Sequence, residues 1–497
     1  MGSGVRMAVQ RLLACLLGVF FGLLVSFGSF AANSSSSLAA AEVAAEVREA
    51  FQRGEPPLRV LLFLEEVGDL SEAYEIEDLD QRRRFVFEQV RDHALESQAD
   101  LVHFLKSQQQ AFRRFYLENA ILLKSPSREL VEELERRPDV RRISLDPAWK
   151  KSRLPEAGVE LQNIVSPIQY IQADRVWREL GATGRGITVA VQDTGVDWKH
   201  PLLADQYRGE PNSHDYHWYD AVQTSVLAPS NPCGLASLEP CDDHGHGSHV
   251  LGSILGKNGI GVAPAAQWIA CRNMDAGEGR PSLYIDCYQF FLAPHPMKGD
   301  PFFDGKPELA ADIINNSWGC PLEEGCQGFE MNQVFRALHA AGIANIVGSG
   351  NEGPACGSVK DLPAAKASLN LVVGALDHRW GGLAFFSSRG PAAFDGGLAP
   401  HLVAPGVSIR SSVPGGGTRS MSGTSMATPH MSGALALLWS DQPELRGKLE
   451  ESYERFFQTA KPMRSQQNCG TVSGQDVPNH SFGYGVIQIW EALTRND

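Results

Sequence analysis

No His-Glu-x-x-His string, no Cys-x-x-Cys pair and no second Asp-Thr-Gly or Asp-Ser-Gly occurs anywhere in the 497 residues. The first two absences remove the familiar zinc-hydrolase and zinc-ribbon spacings. The third removes a carboxylate dyad sharing one proton, which needs two such loops. There is no Lys/Arg stripe interleaved with aromatics, and the net charge is -14, so a nucleic-acid footprint is missing and the acidity speaks to solubility. No repeat period emerges. Cysteine is scarce and uneven, absent between Cys15 and Cys233.

What is present describes an ordinary globular chain, 43% apolar and 21% charged, long enough for two or three domains. Arg6 and Arg11 precede an uncharged apolar run from Leu12 to Phe30, with Ser29-Phe30-Ala31 as a small-x-small cleavage site. Residues 1–32 are therefore expected to be a signal peptide, and a retained anchor is the alternative because the run nearly spans a bilayer. Cys15 would leave with that segment. The other eight, Cys233, Cys241, Cys271, Cys287, Cys320, Cys326, Cys356 and Cys469, form an even set suited to disulfides in an oxidising compartment. Short loops favour Cys233 with Cys241 and Cys320 with Cys326. Export to the medium and retention in a periplasm read alike.

Residues 33–57, Ala/Ser-rich and then polar, read as a linker. Over 58–150 the pattern predicts a compact α+β unit. LRVLLFLEEV is a strand, Phe85 to Gln109 a helix, FYLENAILL a second strand, ELVEELERR a helix capped by Ser127 with Pro138 after its end, and DVRRISL a third strand. A polar segment from Asp146 to Pro167 follows. The expected second domain, 165–497, alternates continuous apolar runs (GITVAVQ, QWIACRNMD, DIINNSW, IANIVGSG, LNLVVGAL) with helical stretches such as MNQVFRALHAAG. That alternation predicts a mostly parallel sheet covered on both faces, a three-layer doubly wound α/β fold.

Three segments carry chemistry: VQDTGVD around Asp193, DDHGHGSHVLGS around His246, and MSGTSMATPH around Ser425. Asp193 ends an expected buried strand, where its carboxylate can hold the imidazole of a base. His246 opens an apolar helix-like run, and Ser425 opens another, where unsatisfied N–H groups favour developing negative charge. His244, His246 and His249 form H-x-H-x-x-H, but the acidic position of the metallo-hydrolase pattern is Ser248, so no metal site is assigned. Gly423-Thr424-Ser425-Met426-Ala427 approaches a nucleophile elbow. That architecture places its acid and histidine well after the serine, and too little chain remains.

Taken in the chain order Asp, His, Ser, each within its own local sequence, the segments resemble the subtilisin-like serine proteases, the subtilase or peptidase S8 family. WIACRNMD, NNSWGCPLEEGC, FSSRGP and HDYHWYD are similar to its bacillopeptidase F branch. The resemblance implies a catalytic triad of Asp193, His246 and Ser425, with Asn351 in GSGNEGP donating to the oxyanion. It also implies that Ser317, Trp318 and Gly319 lie along the substrate strand, with Gly319 leaving room for the side chain before the cleaved bond. His249 resembles a structural histidine. Residues 58–150 are similar to the family's ferredoxin-like prodomain, an intramolecular inhibitor removed on maturation somewhere between Lys150 and Pro167. No cofactor is implied. Structural calcium stays open, except that Leu202 stands where calcium-binding members carry an acid after His200-Pro201. Polypeptide substrates and a monomer with no stable membrane association are the expected partners and state. An esterase with the same triad, and an inactive scaffold used for binding, remain the competing classes.

Overall fold

The computed structural model describes residues 41–150, 164–224 and 231–495. The expected signal peptide, the first part of the expected linker and most of the expected maturation stretch lie outside the described residues.

In the N-terminal unit, strands β1 (Glu42–Val43), β2 (Arg59–Phe63), β3 (Phe112–Phe115), β4 (Ala120–Lys124) and β5 (Arg142–Leu145) form one sheet ordered β1-β5-β2-β4-β3. Helices α1 (Ala45–Gln52), α2 (Leu79–Ser97), α3 (Ala99–Ser107) and α4 (Arg128–Leu134) accompany it. Strand β2 alternates in the way a two-residue period requires. Val60 and Leu62 join a core with Leu101 and Leu105 of α3 and Leu130 and Val131 of α4. Leu61 and Phe63 point the other way, into a core shared with the second domain.

Three expectations change here. Part of the stretch read as a linker pairs as β1 and coils as α1. The single helix expected from Phe85 begins earlier, at Leu79, where the Asp78 carboxylate accepts from Gln81 N at 2.8 Å, and it divides at Gln98. The expected strand FYLENAILL is a hairpin, β3 and β4 joined through Tyr116–Asn119, with Asn119 at φ 48°. Ser127 does cap α4, accepting from Leu130 N at 3.2 Å.

Strand β6 (Trp149–Lys150) leads into the second domain. There α5 (Ser166–Tyr170), α6 (Ala173–Glu179), β7 (Thr188–Asp193), β8 (Trp218–Asp220), α7 (His246–Leu255), β9 (Gln267–Arg272), β10 (Met274–Asp275), β11 (Glu278–Gly279) and α8 (Pro281–Leu292) come first. Next are β12 (Ile313–Asn316), α9 (Asn332–Ala340), β13 (Ala344–Gly348), β14 (Leu371–Asp377), β15 (Gly382–Leu383), β16 (Leu402–Pro405), β17 (Ile409–Val413), β18 (Gly417–Met421), α10 (Thr424–Asp441), α11 (Leu449–Thr459) and α12 (Ile489–Thr494). The main sheet runs β15-β14-β13-β12-β7-β9-β8, with β16 also beside β14. Every pair in it is parallel except β14 with β15.

The sheet is apolar on both faces because helices cover both. Val189 and Val191 of β7 pack with Val250, Leu251, Ala434 and Leu435 from α7 and α10. Ala190 turns to the opposite side, among Phe290, Phe291 and Leu338 from α8 and α9. Each fully buried Val or Leu contributes about 1.5–3 kcal/mol, which is why two-sided burial selects continuous apolar runs. The N-terminal sheet adds a further layer over α8 and α9. Gln289 Oε1 accepts from Tyr116 N and Leu117 N at 2.6 and 3.1 Å, and Arg83 reaches Asp312 at 2.8 Å with both side chains buried.

Four disulfides join Cys233–Cys241, Cys271–Cys287, Cys320–Cys326 and Cys356–Cys469. The two short-loop pairs are those favoured by spacing. The other two tie β9 to α8 and a loop after β13 to the C-terminal region.

Candidate active site

Ligand sites in open parallel sheets gather at the carboxyl ends of the strands, and here the ends of β7, β12 and β13 converge. Asp193 is the last residue of β7, with its side chain fully buried. Its carboxylate meets His246 Nδ1 at 2.8 and 2.9 Å, and its Oδ1 also accepts from Thr194 N at 2.7 Å. An ionised carboxylate only accepts, so in this pair Nδ1–H is the donor and Nε2 faces away from Asp193.

Backbone contact this close needs glycine. A Cβ on Gly247 would lie 2.1 Å from Gly195 O, and one on Gly195, at φ +98°, would lie 1.8 Å from Cys241 O. The loop before α7 is held by Asp242, which accepts from His244 N, Gly245 N and Ser248 N at 3.0, 2.7 and 2.9 Å and from Thr194 Oγ1 at 2.8 Å. Burial raises the pKa of Asp242 in spite of these donors. Sequence reasoning passed over Asp242, although its place just ahead of a helix start is a capping signal. His249 lies one helical turn past His246, buried, with Nε2 at 3.0 Å from both Ile409 O and Arg419 O. Burial pulls its pKa down to about 3, so it is neutral and ties α7 to the β17–β18 hairpin.

Ser425 is the second residue of α10, a helix packed against α7. Its hydroxyl donates to Ser317 O at 3.0 Å, and Ser317 Oγ donates to Ser425 O at 2.9 Å. The reciprocal pair has a local cause. The partner of Ser425 O in a regular helix would be the N–H of residue 429, which is Pro429 and has none, so Ser317 supplies the missing donor. Asn351, beyond the end of β13, accepts with Oδ1 from Thr424 N at 2.9 Å and Thr424 Oγ1 at 3.1 Å. Two donors on Oδ1 identify the other end of the amide as the Nδ2 donor.

Ser317, Trp318, Gly319, Asn351 and Ser425 all line one pocket, together with Gly348, Ser349, Gly350, Asp361, Ala364 and Thr424. Trp318 stacks on Tyr284 with centroids 3.9 Å apart, and the Tyr284 hydroxyl lies under Gly279 of β11. Strand β11 pairs antiparallel with β6, Glu278 opposite Lys150 and Gly279 opposite Trp149. The residues predicted from sequence thus form two groups, Asp193 with His246 and Ser425 with Asn351, Ser317, Trp318 and Gly319. Asp361 was not foreseen, since SVKDLPAAK has no pattern that marks it.

A doubly wound sheet that ends one strand in a carboxylate–imidazole pair and sets a helix-borne serine near an amide donor is the architecture of a serine-type acyl-transfer hydrolase. The subtilase family model matches residues 184–485, and the chain belongs to that family. It is 32% identical to bacillopeptidase F of Bacillus subtilis (strain 168) over 83% of this chain and 29% of that protein. Pyrolysin of Pyrococcus furiosus is 30% identical over 63% of this chain and 26% of its own length. Subtilisin E of Bacillus subtilis is 29% identical over 65% of this chain and 72% of its own. The chain therefore spans under a third of the length of the first two relatives.

Proposed function

We propose that the chain is a secreted serine endopeptidase, made as a precursor and matured by its own cleavage. Ser425 attacks the peptide carbonyl, and His246 Nε2 takes the hydroxyl proton and returns it to the leaving amine. Asp193 holds the imidazole in the required tautomer and offsets its positive charge. Asn351 Nδ2, with the backbone N–H of Ser425, receives the oxyanion. The chemistry needs no cofactor. Leu202 packs half-buried against the main core, which fits its reading as a position without calcium.

The observation that carries this reading is the Asp193–His246 pair at 2.8 Å, with His246 opening α7, the helix packed against the α10 that bears Ser425. In the structure Ser425 donates to Ser317 O, and rotation about its Cα–Cβ bond would redirect the hydroxyl, a rearrangement common in sites without substrate. Strand β6 supports an inhibitory role for residues 58–150, because the end of that unit already lies as an extra strand beside β11. Four disulfides favour an oxidising compartment, outside the cell or in a periplasm. Among the described residues no helix is long and apolar enough to cross a membrane. The expected state is a monomer acting on polypeptides.

Wild type and Ser425→Ala, expressed side by side, test the reading through chain length and casein digestion. Wild type should shed roughly its first 150 residues and digest casein, while Ser425→Ala stays full length and inert. A Ser425→Ala chain that matures and digests casein as wild type does would refute it.

A further inference from the structure

In the pocket that opens on Ser425, Asp361 is the charged member among the described lining residues. The remainder are Ser, Thr, Asn, Gly, Ala and Trp318. Asp361 is 8% exposed and comes from a different segment of chain than Ser425, Asn351 or Gly319.

Its position is fixed by backbone. Cys320 N donates to Leu362 O at 2.7 Å, and Leu362 N donates to Cys320 O at 3.1 Å. Cys320 is itself bound to Cys326. Asp361 O accepts from Ala365 N at 2.9 Å, so the residue is held from both sides. The carboxylate reaches the pocket because Gly319 has no side chain. A Cβ on Gly319 would lie 3.4 Å from Asp361 Oδ2 and 3.2 Å from its Cβ.

The peptide's own geometry says which substrate residue meets this acid. A carbonyl carbon attacked by Ser425, with its oxygen turned to Asn351, is bonded directly to the Cα of the residue before the cleaved bond. The side chain of that residue must enter the cavity bordered by Ser425 and Asn351, which is the cavity holding Asp361. Resting on the peptidase reading above, we infer that Asp361 is a specificity-determining residue, and that the enzyme cuts after lysine or arginine.

The energetics act twice in the same direction. A guanidinium or ammonium group gains charge-assisted hydrogen bonds to a carboxylate already shielded from water. Its methylene stem would lie along a lining that includes Gly348, Ser349 and Gly350, residues with little or no side chain of their own. Leucine or phenylalanine in the same place would strip the remaining water from that face of the pocket while adding no donor for the carboxylate, which disfavours them. Lys150, Lys151 and Arg153 lie in the stretch that maturation would cut, so the precursor carries basic residues there too.

Peptide amides that differ only in the residue before the cleaved bond, Arg, Lys, Phe or Leu, test this with the full chain. The readout is the ratio of kcat/KM for Arg to that for Phe, which does not depend on how much of a preparation is folded. Wild type should favour Arg and Lys over Phe and Leu by roughly 100-fold or more. Asp361→Asn should bring the ratio to within a few-fold of one, and Asp361→Glu should keep the basic preference. A wild-type ratio at or below one, or an Asp361→Asn ratio equal to wild type, overturns the inference. Casein digestion by wild type without a basic preference overturns it alone, whereas a wild type inert toward casein and every peptide overturns the peptidase reading with it.

Discussion

At the scale of single residues, the polar side chains of the site are oriented by the partners they hold. Asn351 spends Oδ1 on Thr424 and keeps Nδ2. Asn351→Ala should therefore lower kcat on the order of 10²–10³, the size of loss known for this kind of donor in subtilisin, with little change in KM. Steady-state kinetics on one peptide separates the two, and a loss confined to KM would contradict the role. Ser317 is committed in another way, to the carbonyl that Pro429 leaves without an N–H. Ser317→Ala should lower unfolding stability by about 1–3 kcal/mol, read from denaturant midpoints. No change in midpoint would show that this carbonyl finds another donor.

Among the elements, the contact between the N-terminal sheet and α8 is a place where pH should act. Asp286 of α8 is buried and meets Arg113 of β3 at 2.9 Å. Burial pushes its carboxyl up to about 7 from the usual 3.8, against the pull of Arg113 and Arg59, with Asp146 adding to the rise. A carboxyl raised in the folded state holds its proton longer there than in the unfolded chain. Its contribution is present below pH 3.8 and is lost as pH climbs toward 7. His249, lowered to about 3, and His430 and His401, each lowered to about 4 by burial, act in the opposite sense. The clean readout is therefore a difference. The stability of wild type relative to Asp286→Asn should fall between pH 4 and 7, followed by melting temperature, and a flat difference would refute the assignment.

The disulfides differ at this scale as well. Cys356–Cys469 spans 113 residues, whereas Cys320–Cys326 spans 6. Replacing both members of the longer pair with serine should cost about 3–5 kcal/mol by the chain-entropy argument, and more than the same change in the shorter pair. Equal losses would place the effect in native packing instead.

Over the whole molecule, three layers of helix among the described residues alternate with two sheets, so that the N-terminal unit covers α8 and α9 and ends in a strand paired with β11. The main sheet was legible because β7, β9, β12, β13 and β14 are buried on both faces, and two-sided burial writes an apolar run into the sequence. The hairpin β3–β4 was not, since its turn Tyr116–Asn119 carries no glycine or proline and half its residues are apolar. The start of α2 was missed because Leu79 to Arg84 is almost wholly polar. Asp193, His246, Ser425 and Asn351 stood out because each lies in a local string with its own meaning. Asp242 was passed over although its contacts to His244, Gly245 and Ser248 are local, whereas Asp361 reaches the pocket through the pairing of Leu362 with Cys320, a contact across the chain that a one-dimensional pattern does not contain.

The central claim is that one serine, activated by one histidine, carries the chemistry. A fluorophosphonate that forms a stable adduct with an activated serine tests it directly, with the labelled peptide located by mass spectrometry. The account predicts a single adduct on the peptide containing Ser425, lost in His246→Ala. An adduct on another serine, or labelling of Ser425 that persists undiminished in His246→Ala, would contradict it.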